Sequence, residues 1–246
     1  MAGRIRVGIG GWVYEPWRGS FYPQGLRQKD ELAYVGQHLT ATEINATYYS
    51  SQKPATFAGW AGAVPDGFQF AVKASRYCTN RKVLAEAGES IARFVEQGIA
   101  ELGDRLGPIL WQFMATKRFD PDDFGAFLKL LPASVAGVPL RHALEVRHES
   151  FDDPAFLSLA REAGAAVVLA DHDEYPAITG HDVGFSYMRL MRASEDEPTG
   201  YARDDLVRWT DRAKAQAERG DVFTFFISGA KARNPAAAQA MMVALG

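Results

Sequence analysis

The chain has 246 residues, of which 47% are hydrophobic and 23% charged, so it can bury a sizeable core and is not an intrinsically disordered polypeptide. Its 27 basic and 30 acidic residues give a net charge of -3, which excludes a protein-wide positive field for nucleic acid or an anionic membrane. Any basic binding site must therefore be local.

Eight short segments rich in branched or aromatic residues recur along the chain, and each is typical of a buried strand. In chain order they are residues 5–9, 41–45, 68–74, 109–113, 143–146, 166–170, 185–190 and 222–227. Helical patterns with apolar residues three and four apart separate most of them, and three helix starts carry a capping side chain before a proline. These starts are Asp120-Pro121, Asp153-Pro154 and Asn234-Pro235.

Strands that alternate with helices need parallel crossovers, and eight such units in this length favour closure into a barrel. The sequence therefore predicts an α/β fold, a single (β/α)8 TIM-type barrel with parallel strands, formed by residues 1–246 as one domain. The run from Asp171 to Pro176 is the exception, because it offers no convincing helix. We predict an irregular crossover near residues 171–184.

The single cysteine, Cys78, excludes an intramolecular disulfide and is typical of a reducing compartment. The first residues run into a short strand without the long apolar region of a signal peptide, and no apolar stretch reaches the length of a bilayer. We therefore expect a cytoplasmic protein with no membrane partner. Its oligomeric state stays open.

Side chains at the C-terminal ends of parallel barrel strands converge on one face, which makes them candidates for function. Here they are Trp12, Glu43, Asn45, Tyr48, Lys73, Arg76, Gln112, Glu145, Arg147, His148, Asp171, Arg189 and Ser228. Four of these charges lie inside otherwise apolar strand runs, namely Glu43, Lys73, Glu145 and Arg189. Because lone buried charges are costly, we expect the four to pair. The result would be either a structural ion-pair layer or a pocket for an anionic ligand.

Five runs of the sequence resemble the DUF72 (YecE-like) family. They are Gly10-Gly11-Trp12, Glu145-Val146-Arg147-His148 and residues 17–23, 42–49 and 65–73, in family order and over most of the chain. The resemblance implies a TIM-barrel fold and no established reaction. Three positions after strands four, seven and eight depart from the family's pattern: Met114, Met191 and Ser228. These departures leave open whether an activity is retained.

An anionic substrate explains the cations most directly, because Arg binds phosphate bidentately and Lys adds a point charge. We therefore favour a hydrolase acting on a phosphate-containing or other anionic substrate. Its predicted catalytic residues are Glu43, Glu145 and Lys73, with a carboxylate as base and Lys73 stabilising the developing charge. The cations would lower the pKa of both carboxyls, which disfavours the protonated acid of a glycosidase. The predicted substrate-binding residues are Trp12, Asn45, Tyr48, Arg76, Gln112, Arg147, His148, Asp171 and Arg189.

Two alternatives stay open. The barrel could be a non-catalytic module that binds nucleic acid, a nucleotide or a protein, since Arg76-Tyr77 places a cation beside an aromatic ring. It could also be a metal-dependent barrel enzyme of the endonuclease or isomerase type. The metal ligands would then be drawn from Glu43, Glu145, His148 and Asp171. Interleaved cations make a divalent metal possible without favouring it. No nucleotide cofactor is expected, because Val13 stands where a dinucleotide fingerprint needs its third glycine.

Overall fold

Nine short parallel strands form the main sheet of the structure, a computed structural model that describes residues 2–179 and 183–246. The strands of this sheet are Ile5–Gly10 (β1), Ala41–Ile44 (β2), Gln69–Lys73 (β3), Leu106–Gln112 (β4), His142–Glu145 (β7), Ala166–Val167 (β8), Leu169–Asp171 (β9), Phe185–Leu190 (β10) and Asp221–Phe226 (β11). A separate antiparallel hairpin consists of Ser134–Val135 (β5) and Val138–Pro139 (β6).

The helices lie between these strands in the chain. The α-helices are Glu31–His38 (α1), Ala46–Tyr49 (α2), Pro54–Gly62 (α3), Arg76–Thr79 (α4), Gly88–Val95 (α5), Pro121–Lys129 (α6), Pro154–Glu162 (α7), Arg203–Ala217 (α8) and Asn234–Leu245 (α9). Short 3-10 helices span Glu15–Trp17, Gln28–Asp30, Leu84–Glu86, Ile99–Arg105, Glu149–Phe151 and Lys231–Arg233. Within the described residues, no helix has the length and apolar character needed to cross a bilayer. The cytoplasmic location stays a prediction.

The sheet curls into a nearly closed barrel. β1 pairs in parallel with β11 and with β2, so the first and last strands of the chain are neighbours. The predicted sixth strand is divided at Val168 into β8, which pairs with β7, and β9, which pairs with β10. The Val168 N–H still donates to the Leu144 carbonyl at 2.9 Å, which keeps the two pieces in line. These features confirm the predicted parallel α/β barrel.

The crossover after β9 is irregular, as predicted. The described parts of residues 171–184 contain bends and no helix, and His181 lies with residues 180–182 outside the described residues. In the part that the structure describes, residues 172–179 follow β9 as a loop, where most other strands are followed by a helix.

All three predicted helix starts are confirmed in position, and two of them carry the predicted cap. The Asp120 carboxylate accepts hydrogen bonds from two backbone N–H groups of α6 at 3.1 and 3.2 Å, and the Asp153 carboxylate accepts one from α7 at 2.7 Å. The predicted cap at Asn234 is wrong, although α9 begins at this residue. Because the 3-10 turn Lys231–Arg233 already begins the helical path, Asn234 has helical dihedral angles and its Oδ1 caps nothing.

Alternation along the strands builds the barrel interior in two levels. Residues two apart on a strand point to the same face, so a polar residue at a strand end lies above the interior residue that precedes it by two. The apolar or aromatic residues and the polar residues above them are Ala41 and Glu43, Ala71 and Lys73, Leu110 and Gln112, Ala143 and Glu145, and Tyr187 and Arg189. The lower level excludes water, and the upper level forms the floor of the site.

Candidate functional site

Arg189 joins two carboxylates across the mouth of the barrel. Its Nε and Nη2 donate to Glu43 Oε1 and Oε2 at 3.0 and 3.1 Å, and its Nη1 donates to Glu145 Oε2. Arg189 is 3% exposed and both carboxylates are 0% exposed. The predicted pairing of these three residues is therefore confirmed as a buried ion-pair layer, which we call the charged layer.

Other side chains also donate hydrogen bonds to the two carboxylates of the charged layer. Tyr187 Oη donates to Glu43 at 2.6 Å, and Gln112 Nε2 donates to both oxygens of Glu145 at 3.0 and 3.1 Å. Arg147 Nε adds a bond to Glu145 Oε1 at 2.7 Å. Every carboxylate oxygen of the layer thus accepts at least one hydrogen bond.

Charge and burial act in opposite directions on Glu145. Burial alone would raise the pKa of its carboxyl, but Arg189, Arg147 and the bonds from Gln112 lower this pKa to about 2. For Arg189, burial would lower the pKa, but the two carboxylates raise it above its ordinary value. The ion pair therefore stays charged at neutral pH, as expected from the sequence for Glu145.

A cavity of about 530 Å³ lies directly above the charged layer. Its walls are formed by Gly10, Gly11, Trp12, Val13, Asn45, Ala46, Tyr49, Lys73, Gln112, Arg147, Arg189, Ile227, Ser228, Lys231 and Asn234. Two lysines and two arginines are among these wall residues, whereas no Asp or Glu of the described chain is. The cavity is therefore lined by positive charge, with the negative charge confined to the layer beneath it.

Lys73 differs from the other strand-end charges because it stands outside the ion pairs. Its Nζ lies 4.3 Å from the ring centroid of Tyr48 and forms no hydrogen bond or ion pair with any residue that the structure describes. The expected pairing of Lys73 is wrong, because Arg189 reaches both carboxylates and occupies their oxygens. Burial and Arg189 lower the pKa of Lys73 to about 8, against the opposite effect of the carboxylates.

The loop after β11 forms another wall of the cavity, and Lys231 is the residue in it that the sequence analysis did not single out. Lys231 Nζ lies 4.3 Å from the ring centroid of Tyr14, and burial lowers the pKa of this lysine. Asn234 is 2% exposed, and its Oδ1 has no hydrogen-bond partner in the described part of the chain. Ser228, with φ +64°, turns the chain from the strand into this loop. The position of Lys231 a few residues after strand eight was the available signal for it.

Six of the predicted site residues line the cavity, and others lie under or beside it. The lining residues are Trp12, Asn45, Lys73, Gln112, Arg147 and Arg189. Glu43 and Glu145 lie beneath it, and Tyr48 supports Lys73 from the side. The sequence analysis missed Tyr187. Its position two residues before Arg189 on β10 places both on the same barrel face, and this spacing was the available signal.

Three predicted substrate-binding residues are not brought to the cavity wall. Arg76 is exposed and lies 5.3 Å from the Tyr77 ring centroid. His148 Nδ1 accepts the Ser150 N–H at 3.1 Å and so caps a short helical turn. Asp171 accepts the hydroxyl of a tyrosine at 3.2 Å, and burial raises its pKa. Their predicted contact with a substrate has no support from the cavity.

The positions that depart from the DUF72 pattern differ in their relation to the cavity. Ser228 is in its wall, whereas Met114 and Met191 are not. Met191 is 5% exposed and packs inside the protein, and Met114 is 41% exposed. The departure that lies at the cavity is therefore the one at Ser228.

The metal alternative lacks a ligand cluster. Across residues 2–179 and 183–246, no group of three or more His, Cys, Asp or Glu side chains is placed to hold a metal ion. Glu43 and Glu145 are separated by the guanidinium of Arg189, which bonds to both. The charge that a metal would supply is thus already supplied by arginine.

Comparison with known proteins gives a family and a fold. A family model described as "Protein of unknown function DUF72" matches residues 6–246. No curated protein matches the chain. A crystal structure of a DUF72 family protein from Thermotoga maritima is 22% identical, with a TM-score of 0.78 over 98% of this chain and 99% of that one.

Two further solved structures agree with the architecture. A DUF72 family protein from Enterococcus faecalis is 16% identical, with a TM-score of 0.77 over 98% of this chain and 94% of its own. A xylose isomerase-like TIM barrel/4-hydroxyphenylpyruvate dioxygenase fusion protein is 14% identical, with a TM-score of 0.59 over 99% of this chain and 43% of that one. At these identities the likeness concerns the fold alone.

Proposed function

The chain belongs to the DUF72 family, which has no assigned activity, and from this premise and the charges of the mouth cavity we propose that it acts on a small phosphate-bearing or other anionic substrate. One observation carries the proposal. Four cations face the cavity, while the two nearby carboxylates are buried beneath it and accept a hydrogen bond at every oxygen. A ligand in the cavity therefore meets positive charge.

The charge balance of the site supports an anion. Arg189 and Arg147 balance Glu43 and Glu145, with which they form ion pairs. The lysines of the cavity wall form no ion pair with a described residue, so their charge is left for a ligand. Partial burial strengthens this attraction relative to bulk water. The volume of about 530 Å³ lies within the range of about 300–1,000 Å³ that is usual for small-molecule sites.

The wall formed after β11 is suited to a phosphate group. In TIM barrels the loops after strands seven and eight, with a helix N-terminus, commonly hold phosphate. Here Ser228 and Lys231 lie in that loop, and Asn234 is the first residue of α9. The N-terminal end of a helix carries partial positive charge, which adds to that of the lysine.

The two carboxylates are poorly placed to act as a hydrolytic base. A base must accept a proton from water, yet each oxygen of Glu43 and Glu145 already accepts a hydrogen bond. Their geometry supports positioning of Arg189 and Arg147 at the cavity floor. Hydrolysis with a carboxylate base stays a prediction, and Lys73 is the predicted catalytic residue with the best geometric support.

Binding of inorganic phosphate tests the proposal. We expect saturable binding in isothermal titration calorimetry at constant ionic strength, with one site per chain. Arg147→Gln should weaken this binding at least tenfold, because a hydrogen bond to a charged group contributes about 1.5–3 kcal/mol. Arg76→Gln, which removes an exposed arginine away from the cavity, is the matched control and should bind like the parent. Absence of saturable binding, or equal loss in both variants, contradicts the proposal.

A non-catalytic module for single-stranded nucleic acid is the second candidate. Tyr49 and Tyr77 are 65% and 61% exposed, and Arg76 lies beside Tyr77. Exposed aromatic rings with cations suit base stacking and backbone contact. Oligonucleotide binding that weakens steeply with salt and is lost in Tyr77→Ala, but not in Arg147→Gln, would favour this candidate.

A further inference from the structure

We propose that Lys73 is a nucleophilic amine, whose Nζ forms an imine with the carbonyl carbon of an aldehyde or ketone that also carries a phosphate or carboxylate group. This inference rests on the proposed function, because the other cations of the cavity would hold the anionic group. It names the substrate class as carbonyl compounds with an anionic group, and it gives Lys73 a covalent role.

The backbone of Lys73 is fixed on all sides. Lys73 is the last residue of β3 and pairs with Leu110 of β4. Its carbonyl accepts a hydrogen bond from Thr47 Oγ1 at 2.7 Å. On the other edge of the strand, Val72 pairs with Ile44 of β2. The start of the side chain is therefore rigid, which is what a covalent catalyst needs for reproducible attack geometry.

The amine itself is accessible and uncommitted. Lys73 Nζ faces the cavity and contacts the ring of Tyr48, while Asn80 Nδ2 donates to the Tyr48 hydroxyl at 3.0 Å and holds the ring in place. With no acceptor among the described residues, the nitrogen has no ion pair to break before it reacts. A protonated imine is also a cation, so its contact with the ring face would persist after the reaction.

The surroundings keep part of the amine neutral at physiological pH. Burial and the cation of Arg189 lower the pKa of Lys73 to about 8. At pH 7 the amine of Lys73 is then neutral in roughly a tenth of the protein molecules, compared with about 1 in 3,000 for an ordinary lysine. Desolvation and a neighbouring cation are the two devices that activate a lysine as a nucleophile.

The second lysine of the cavity serves a different purpose. Burial alone lowers the pKa of Lys231, with no neighbouring cation contributing. Lys231 lies in the wall formed by the loop after β11, beside Ser228 and Asn234. We assign this wall, together with Arg147, to the anionic group of the substrate, and the wall with Lys73 and Arg189 to its carbonyl end.

The proposed step is balanced without a further reagent. The lone pair of neutral Nζ attacks the carbonyl carbon, the C–N bond forms, and the carbonyl π electrons move to oxygen. The resulting carbinolamine loses its oxygen together with both amine protons as water, and a C=N bond remains. Nothing is oxidised or reduced. Once protonated, the imine withdraws electrons from the neighbouring carbon, which favours breaking a bond there.

Reductive trapping tests this inference. The full-length protein is incubated with pyruvate or dihydroxyacetone phosphate and sodium cyanoborohydride, which converts an imine into a stable secondary amine. Peptide mass spectrometry should find one main adduct, on Lys73. Excess inorganic phosphate and Arg147→Gln should each reduce its formation at least fivefold. Lys73→Arg should abolish it, and Lys53→Arg, an exposed lysine elsewhere, should not change it.

Each outcome decides the inference. Adducts spread over surface lysines, or an equal yield in Lys73→Arg, overturn it. Should Lys73→Arg fail to fold, the pH dependence of trapping in the parent tests the inference instead. The rate of adduct formation must rise between pH 6 and 8 and level off above the pKa of Lys73. Phosphate binding by the parent without an adduct on Lys73 refutes the nucleophile and leaves the proposed function standing. Loss of both refutes both.

Discussion

Replacing Arg189 by methionine should destabilise the protein in a manner that depends on pH. Arg189 forms three hydrogen bonds to Glu43 and Glu145, and both carboxylates are 0% exposed. Methionine keeps an unbranched side chain in the barrel but leaves two buried negative charges close together. Breaking a buried ion pair by removing one partner costs about 3–5 kcal/mol, and we expect a loss in this range at pH 8.

The pH dependence follows from the direction of the carboxyl pKa. In the parent, the pKa of Glu145 is lowered to about 2, below its value in the unfolded chain. This group therefore contributes stability above the unfolded pKa of about 4.3, and the contribution is lost as the pH falls from there towards 2. Without Arg189 the pKa of the Glu145 carboxyl rises, because the strongest of the charges that lower it is gone. As the pH falls, the folded variant therefore takes up a proton at a higher pH than the folded parent does. The difference between parent and variant should shrink as the pH is lowered.

Urea unfolding at pH 8 and pH 5 measures both quantities. The control is Arg208→Met, which removes an exposed partner of Asp205 and should cost at most about 0.5 kcal/mol at either pH. A loss in Arg189→Met no larger than in the control would refute the description of the charged layer. An equal large loss at both pH values would refute the assignment of the effect to ionised carboxylates.

Three further predictions concern the barrel and its cavity. Tyr187→Phe removes the phenol that donates to a buried carboxylate at 2.6 Å, and should lower the free energy of unfolding by about 1–3 kcal/mol in urea titration; an unchanged value would mean that this bond adds nothing. Gly8→Ala would place Cβ 2.1 Å from the Ala41 carbonyl oxygen, so we expect a large drop in melting temperature. Gly59→Ala, with open space around it, should leave the melting temperature unchanged. Equal melting temperatures in the two variants would contradict the strand packing. Sulfate keeps a constant charge near pH 8, and it should bind more weakly as the pH rises through about 8 and Lys73 loses its proton. Calorimetry should show no such decline in affinity for Lys73→Arg. A decline of equal size in that variant would assign the effect to another group.

The stacking of a polar level on an apolar level at the barrel mouth was predictable, because every second residue of a strand points to the same face. Glu43, Glu145 and Arg189 each interrupt an apolar strand run near its C-terminal end, and in a parallel barrel those ends meet. Buried charges need partners, so the pairing of these three followed from the sequence. The partner of each atom did not follow, because the register of neighbouring strands decides which side chains come within reach.

Other features depend on geometry that a sequence pattern does not contain. Lys73 was expected to pair like its neighbours, but the planar guanidinium of Arg189 spans both carboxylates and leaves the lysine free to face the cavity. The break at Val168 is hidden in a continuous apolar run. Asn234 was expected to cap a helix, but the preceding 3-10 turn makes it the first residue of that helix, so its side chain caps nothing.

The central claim is that the cavity above the charged layer binds an anion, and anomalous scattering tests it most directly. Crystals of the protein soaked with tungstate, a heavy tetrahedral oxyanion, should show an anomalous peak in the cavity within hydrogen-bonding distance of Lys231 or Arg147. Arg147→Gln crystals should show a weaker peak under the same conditions. Peaks confined to surface arginines and lysines, with none in the cavity, would contradict the claim.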